Sequence, residues 1–140
     1  PDGRYVFCAN ELASSVTAFR YTGCQLEPLY TVPALPADYT GESTCAAIRV
    51  SSDGKTLYVS NRGHDSVCAY KLCDGILSDP VWTKICGVSP RDFIIADGIM
   101  YVTNEKTDNV TLFNVDGREL TKLDTEPEMP NPLCVVYTYA

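Results

Sequence analysis

Positive charge is scarce in this chain of 140 residues, where eleven Lys and Arg face eighteen Asp and Glu and leave a formal net charge of -7. The basic residues are scattered without a cluster, so the surface is a poor match for a phosphate backbone and no nucleic-acid partner is expected. Long apolar runs are missing too. No stretch approaches the roughly eighteen residues needed to cross a bilayer, and Pro1-Asp2-Gly3-Arg4 is not a basic region leading into an apolar one. A soluble protein without a membrane partner is the expectation. Histidine occurs once, at His64, and no Cys-x-x-Cys pair exists, so the usual zinc signature is absent. Neither a nucleophile elbow nor a glycine-rich phosphate loop appears, and no cofactor or metal is expected. Helical periodicity is nearly absent. Only residues 9 to 15 offer a turn of helix, against which Ser14, Ser15 and the β-branched Val16 weigh.

What is present is a folded, turn-rich composition, 45% apolar with nine Gly and nine Pro. The seven cysteines, Cys8, Cys24, Cys45, Cys68, Cys73, Cys86 and Cys134, are odd in number and mostly lie in strand-like apolar runs. There a thiol acts as a small hydrophobe, which predicts free thiols and a reducing, cytoplasmic compartment.

The strongest signal is a repeat. DGRYVFCANELASSVTAF at 2 to 19, DGKTLYVSNRGHDSVCAY at 53 to 70 and DGIMYVTNEKTDNVTLF at 97 to 113 share one pattern. Each places a Val six positions after Asn10, Asn61 or Asn104 (Val16, Val67, Val110), then an aromatic (Phe19, Tyr70, Phe113) and a Gly (Gly23, Gly75, Gly117). A period of about 40 to 50 residues points to a propeller or solenoid. Short β-branched and aromatic runs between Asp-Gly and similar turns read as antiparallel strands. They are 4–10, 16–21 and 25–32, with Pro28 suited to an edge. A long loop at 33–44 follows. Then come 45–50, 55–61, 66–72 and 79–86 as one full unit, and 91–96, 99–104, 109–115 and 119–125 as another. A last strand is expected at 133–139.

Four successive short strands describe one propeller blade. The expected fold is therefore an all-β propeller of four-stranded antiparallel blades. Its parts are an incomplete blade plus loop at 1–44, full blades at 45–86 and 87–126, and a leftover strand at 127–140. About three blades cannot close a ring, which predicts self-association or a missing N-terminal propeller segment.

Because strands alternate direction, Glu11, Arg62, Gly63, His64, Glu105 and Lys106 share one rim with Arg91 and Asp92. Loops on one rim of a rigid β-scaffold commonly carry function. Arg62 and Arg91 there suit a carboxylate or phosphate ligand, or alternatively brace the blades through Asp65 and Asp92. His64 is a candidate general base or a solvated turn residue. Arg62 departs from its repeat mates Glu11 and Glu105, which makes it the sharpest functional signal.

Taken with LPADYTGEST, VSSDGKTLYVSNRGHDSV and SPRDFIIADGIMYVTNEKTDNVTLF, the first repeat resembles the C-terminal part of the seven-bladed lactonase family. That family includes the propeller type of 6-phosphogluconolactonase and a related carboxymuconate cycloisomerase. The resemblance implies hydrolysis of 6-phosphogluconolactone to 6-phosphogluconate in the pentose phosphate pathway, without a nicotinamide cofactor. It also implies a small anionic lactone or sugar-acid ligand bound by Arg62 and Arg91. The family pattern has an Arg-His pair in the strand ahead of the first Asp-Gly turn, and a Glu where this chain has Ala47. Little activity from the isolated chain follows. A cycloisomerase-like or sugar-acid binding propeller, or a non-catalytic scaffold, are the other functions in view.

Overall fold

The alternating segments around Asn10, Asn61 and Asn104 pair as antiparallel strands in the computed structural model, which describes residues 3–138. The first sheet holds β1 (Tyr5–Asn10), β2 (Ser15–Tyr21) and β3 (Leu26–Pro33). The second runs β4 (Thr44–Val50), β5 (Thr56–Arg62), β6 (Ser66–Cys73) and β7 (Ile76–Lys84). The third runs β8 (Pro90–Ala96), β9 (Ile99–Asn104), β10 (Asn109–Asp116) and β11 (Glu119–Lys122). Each is a meander whose strands neighbour one another in chain order, the arrangement of a propeller blade. Among the described residues no helix occurs, and the first sheet has no counterpart of β4 and β8.

The repeat has a physical cause in each unit. Asn10, Asn61 and Asn104 pair with Ser15, Ser66 and Asn109 where each hairpin closes. The Asn10 amide donates to Ser15 Oγ at 3.0 Å and Thr17 Oγ1 at 2.8 Å. The Asn104 amide reaches Asn109 Oδ1 and Thr111 Oγ1, both at 3.1 Å. Asn61 donates to Ser66 Oγ at 3.3 Å and to the Ala34 carbonyl at 2.9 Å, tying the long loop to the second sheet. The matching glycines, Gly23, Gly75 and Gly117, all have positive φ, as their turns require.

Two apolar layers hold the sheets face to face. Val16, Leu57, Val59, Cys68 and Tyr70 fill the layer between the first and second sheets. Tyr58, Val67, Phe93, Met100 and Phe113 fill the one between the second and third. Strand alternation sends Leu57 and Val59 one way and Tyr58 the other, so the second sheet is apolar on both faces.

Several sequence expectations need correction. The outer strand placed at 79–86 is β7 at Ile76–Lys84, because a bulge between Ala69 and Lys71 lets pairing resume at Leu77 and Ile76. The last strand of the third unit stops at Lys122. Pro28 does lie on an edge strand, beside a bulge at Ala18 and Phe19. The strand expected at 133–139 is not formed over 133–138, and Tyr139 lies outside the described residues. There the Val135 N–H is taken at 3.1 Å by the Asp92 carboxylate and the Tyr137 hydroxyl at 2.9 Å by Asp97, so side chains replace a backbone ladder. All seven cysteines are free, but only Cys45 and Cys68 are buried as small hydrophobes, while the other five are exposed.

Candidate functional site

The inner strands β4 and β8 are built alike, and their irregularities create the site. Both slip register next to the following strand, between Cys45 and Ile48 in β4 and between Pro90 and Asp92 in β8. A hydroxyl one residue before the repeat Asn repairs each slip. Ser60 Oγ accepts the Ala47 N–H at 3.0 Å, and Thr103 Oγ1 accepts the Asp92 N–H at 3.1 Å. Such bulges re-aim side chains. The repeat places Ala46 and Arg91 at equivalent points, so β4 leaves space where β8 supplies a guanidinium.

The resulting cavity, about 450 Å³, is lined by Ala9, Glu11, Ala46, Ala47, Arg49, Arg62, Arg91, Asp92 and Cys134, among others. A second cavity of about 340 Å³ on the rim shares Arg62 and Arg91 and adds Gly63, Ser89, Glu105 and Lys106. The two arginines expected around one opening are thus brought together, and both line the two spaces. A third cavity, about 230 Å³ among Tyr5, Phe7, Asp53 and Asp74 at the opposite end, has no cationic side chain in its lining and does not suit an anion.

The arginines are paired differently from the expected braces. Arg62 pairs with Glu11 of the first sheet and also donates to the Cys45 carbonyl at 3.3 Å. Its Nε is buried without a hydrogen-bond partner. Arg91 stands 4.0 Å from Glu105 and is roughly half exposed. Asp65 instead accepts the Ser89 N–H at 2.9 Å, and Asp92 pairs with Arg49 at 2.8 Å. The glutamates of the first and third units therefore partner the two arginines. Arg49, which the repeat pattern does not single out, is the third guanidinium of the cavity and lies 5.8 Å from the Phe93 ring centroid. A charged residue inside the otherwise small and apolar inner strand CAAIRV was its available signal.

His64 sits elsewhere. It is buried, its Nδ1 lies 2.7 Å from Ser66 Oγ, and its ring meets Tyr39 edge-on at 4.7 Å. It lines a separate surface hollow with Lys84 and Cys86, not the arginine cavities. Burial first, and then Lys84, hold its pKa below the usual histidine value. Burial raises the Cys45 thiol to about 11, so it is protonated beside the cavity at neutral pH. No group of three or more His, Cys, Asp or Glu among the described residues could hold a metal ion, and no helix is long and apolar enough to cross a membrane.

Antiparallel meanders stacked face to face are blades of a β-propeller, and Arg62 and Arg91 line two of its cavities. The family described as Lactonase, 7-bladed beta-propeller matches residues 1–137, and the chain belongs to it. It is 34% identical over 148 residues to a Bacillus subtilis 6-phosphogluconolactonase, covering 99% of this chain and 42% of that protein. A solved Lactobacillus plantarum protein is 36% identical with a TM-score of 0.91, over 96% of this chain and 41% of the other. The periplasmic gluconolactonase of Pseudomonas aeruginosa is 27% identical with a TM-score of 0.88, over 94% and 38%. The chain spans less than half the length of these relatives.

Proposed function

We propose that this chain supplies the arginine-bearing part of a lactonase site that hydrolyses 6-phosphogluconolactone to 6-phosphogluconate. The observation that carries this reading is the convergence of Arg62 and Arg91 on both cavities, with one buried Arg62 donor left unpartnered. Membership of the lactonase family and the relative named 6-phosphogluconolactonase support it.

In the reaction, a water oxygen adds to the lactone carbonyl carbon and the ring C–O bond breaks. One proton lost by water ends on the freed ring oxygen, and the other leaves the new carboxyl group for solvent. Negative charge develops first on the carbonyl oxygen and then on the product carboxylate. A fixed guanidinium stabilises both better than bulk water does, because its donors are already oriented. Glu11 and Asp92 are the carboxylates facing the cavity that can accept the proton of water. His64 has a structural role in this scheme, since its nitrogen is engaged by Ser66 away from the arginines. The free thiols support a reducing, cytoplasmic setting.

Calorimetric titration of the chain with 6-phosphogluconate tests the site. Arg91→Gln, at a half-exposed position, should weaken binding about tenfold or more, the scale of one charge-assisted contact. Equal affinity of the wild type and Arg91→Gln would overturn the assignment.

A further inference from the structure

Lys106 stands out once the two arginine cavities are separated. The repeat places it two residues after Asn104, where the other units have Leu12 and Gly63, so the hairpin geometry does not demand a cation there. Its backbone is nevertheless fixed, with Lys106 N–H bonded to the Val88 carbonyl at 3.2 Å and Glu105 N–H to Ser89 at 3.1 Å. Lys106 lines the rim cavity alongside Arg62 and Arg91. Lys106 forms no ion pair with a described residue, whereas the nearby Glu105 already accepts from Ser89 Oγ at 3.0 Å and faces Arg91. Gly63 completes the rim: with φ +99 and the Glu42 carbonyl 2.3 Å from where a Cβ would stand, no side chain intrudes there.

The two spaces thus differ chemically while sharing two guanidiniums. The inner one has planar forks, from Arg49, Arg62 and Arg91, suited to the flat oxygens of a carboxylate or lactone. The rim adds a compact, unpaired ammonium, which suits a tetrahedral dianion approached from several directions. We propose that Lys106 is a specificity-determining residue that holds the terminal phosphate of a phosphorylated sugar acid in the rim cavity while the carboxyl end lies in the inner one. This rests on the sugar-acid site proposed above and adds that the site distinguishes phosphorylated from unphosphorylated ligands.

The test compares 6-phosphogluconate with gluconate by calorimetric titration of the chain at low ionic strength, where an exposed charge is least screened. In Lys106→Gln the preference for the phosphorylated ligand should fall about fivefold or more, with gluconate affinity unchanged within about twofold. Lys106→Arg should restore most of the preference. An unchanged preference in Lys106→Gln overturns the proposal even where Arg91→Gln weakens both ligands and so supports the shared site. If Arg91→Gln affects neither ligand, the site reading falls and the phosphate assignment falls with it.

Discussion

β1 and β5 carry the same pattern, DGRYVFCAN against DGKTLYVSN, yet they live in different surroundings. Leu57 is fully buried while its repeat mate Val6 is 39% exposed, and Met100, third of the set, is fully buried. Following alternation, Val6 points away from the stack, Leu57 toward the first sheet and Met100 toward the second. Position in the stack, then, decides what a residue contributes, and the same repeat position can be core in one unit and surface in the next. Among the described residues only the middle sheet has an apolar layer on both faces.

The largest break in that equivalence should come from truncating matched positions. Leu57→Ala removes a fully buried side chain between two sheets and should cost about 2–5 kcal/mol. Val6→Ala should cost less than about 1 kcal/mol, since its outward face has no packed neighbour sheet to leave a cavity in. Urea unfolding of both variants checks this, and similar losses would mean that the outward face of the first sheet is covered.

A smaller contrast separates the repeat asparagines. Asn61 is fully buried and its amide serves two partners, one of them the Ala34 carbonyl of the long loop, to which the Trp82 indole also donates at 2.9 Å. Asn61→Ala leaves that carbonyl with one donor fewer and Ser66 without the amide, a loss of about 1–3 kcal/mol. Asn10 is only half-buried, its partners are the hydroxyls of buried Ser15 and half-buried Thr17 with no tie to a distant loop, and Asn10→Ala should cost about 1 kcal/mol or less. Equal losses at the two positions would show that the tie to the loop adds nothing.

Local pattern made much of this fold legible. Strand spacing, the hairpin turns and the edge position of Pro28 follow from β-branched runs, Asp-Gly pairs and the missing proline donor, all short-range facts. The convergence of Arg62 and Arg91 was legible because strand direction alone fixes which loops share a rim. What stayed hidden depends on how sheets stack. The pairing of Arg62 with Glu11 joins two different sheets, and the pairing of Arg49 with Asp92 joins two inner strands. The inner strands that carry Arg49 and Asp92 also bulge where Ser60 and Thr103 repair them, and no periodicity announces a bulge. The final segment misled for a related reason: LCVVYT has strand composition, but a strand also needs a ladder, and the Asp92 carboxylate takes its Val135 N–H instead.

His64 gives the smallest expected effect and the sharpest test of how the middle sheet differs from its neighbours. Its turn, NRGHDS, is polar and looks solvated, whereas the folded-over loop at 34–43 brings Tyr39 against the imidazole and buries it. Burial and the Lys84 ammonium both disfavour the imidazolium, outweighing Asp65 and Asp38, so the folded pKa lies below the ordinary value of 6.5. The unfolded chain therefore binds a proton first as pH falls. The contribution of neutral His64 is fully present above pH about 6.5 and is lost as acidification proceeds toward the depressed folded value, at no more than about 1.4 kcal/mol per pH unit. Between pH 7.5 and 5.5 most carboxylates stay ionised, so this term can be read there with little interference. The urea midpoint of the wild type should fall over that range, and His64→Gln, which has no titrating group in the turn, should fall less. Parallel pH profiles for the two proteins would mean that His64 is solvated after all and that the loop does not close over the second unit.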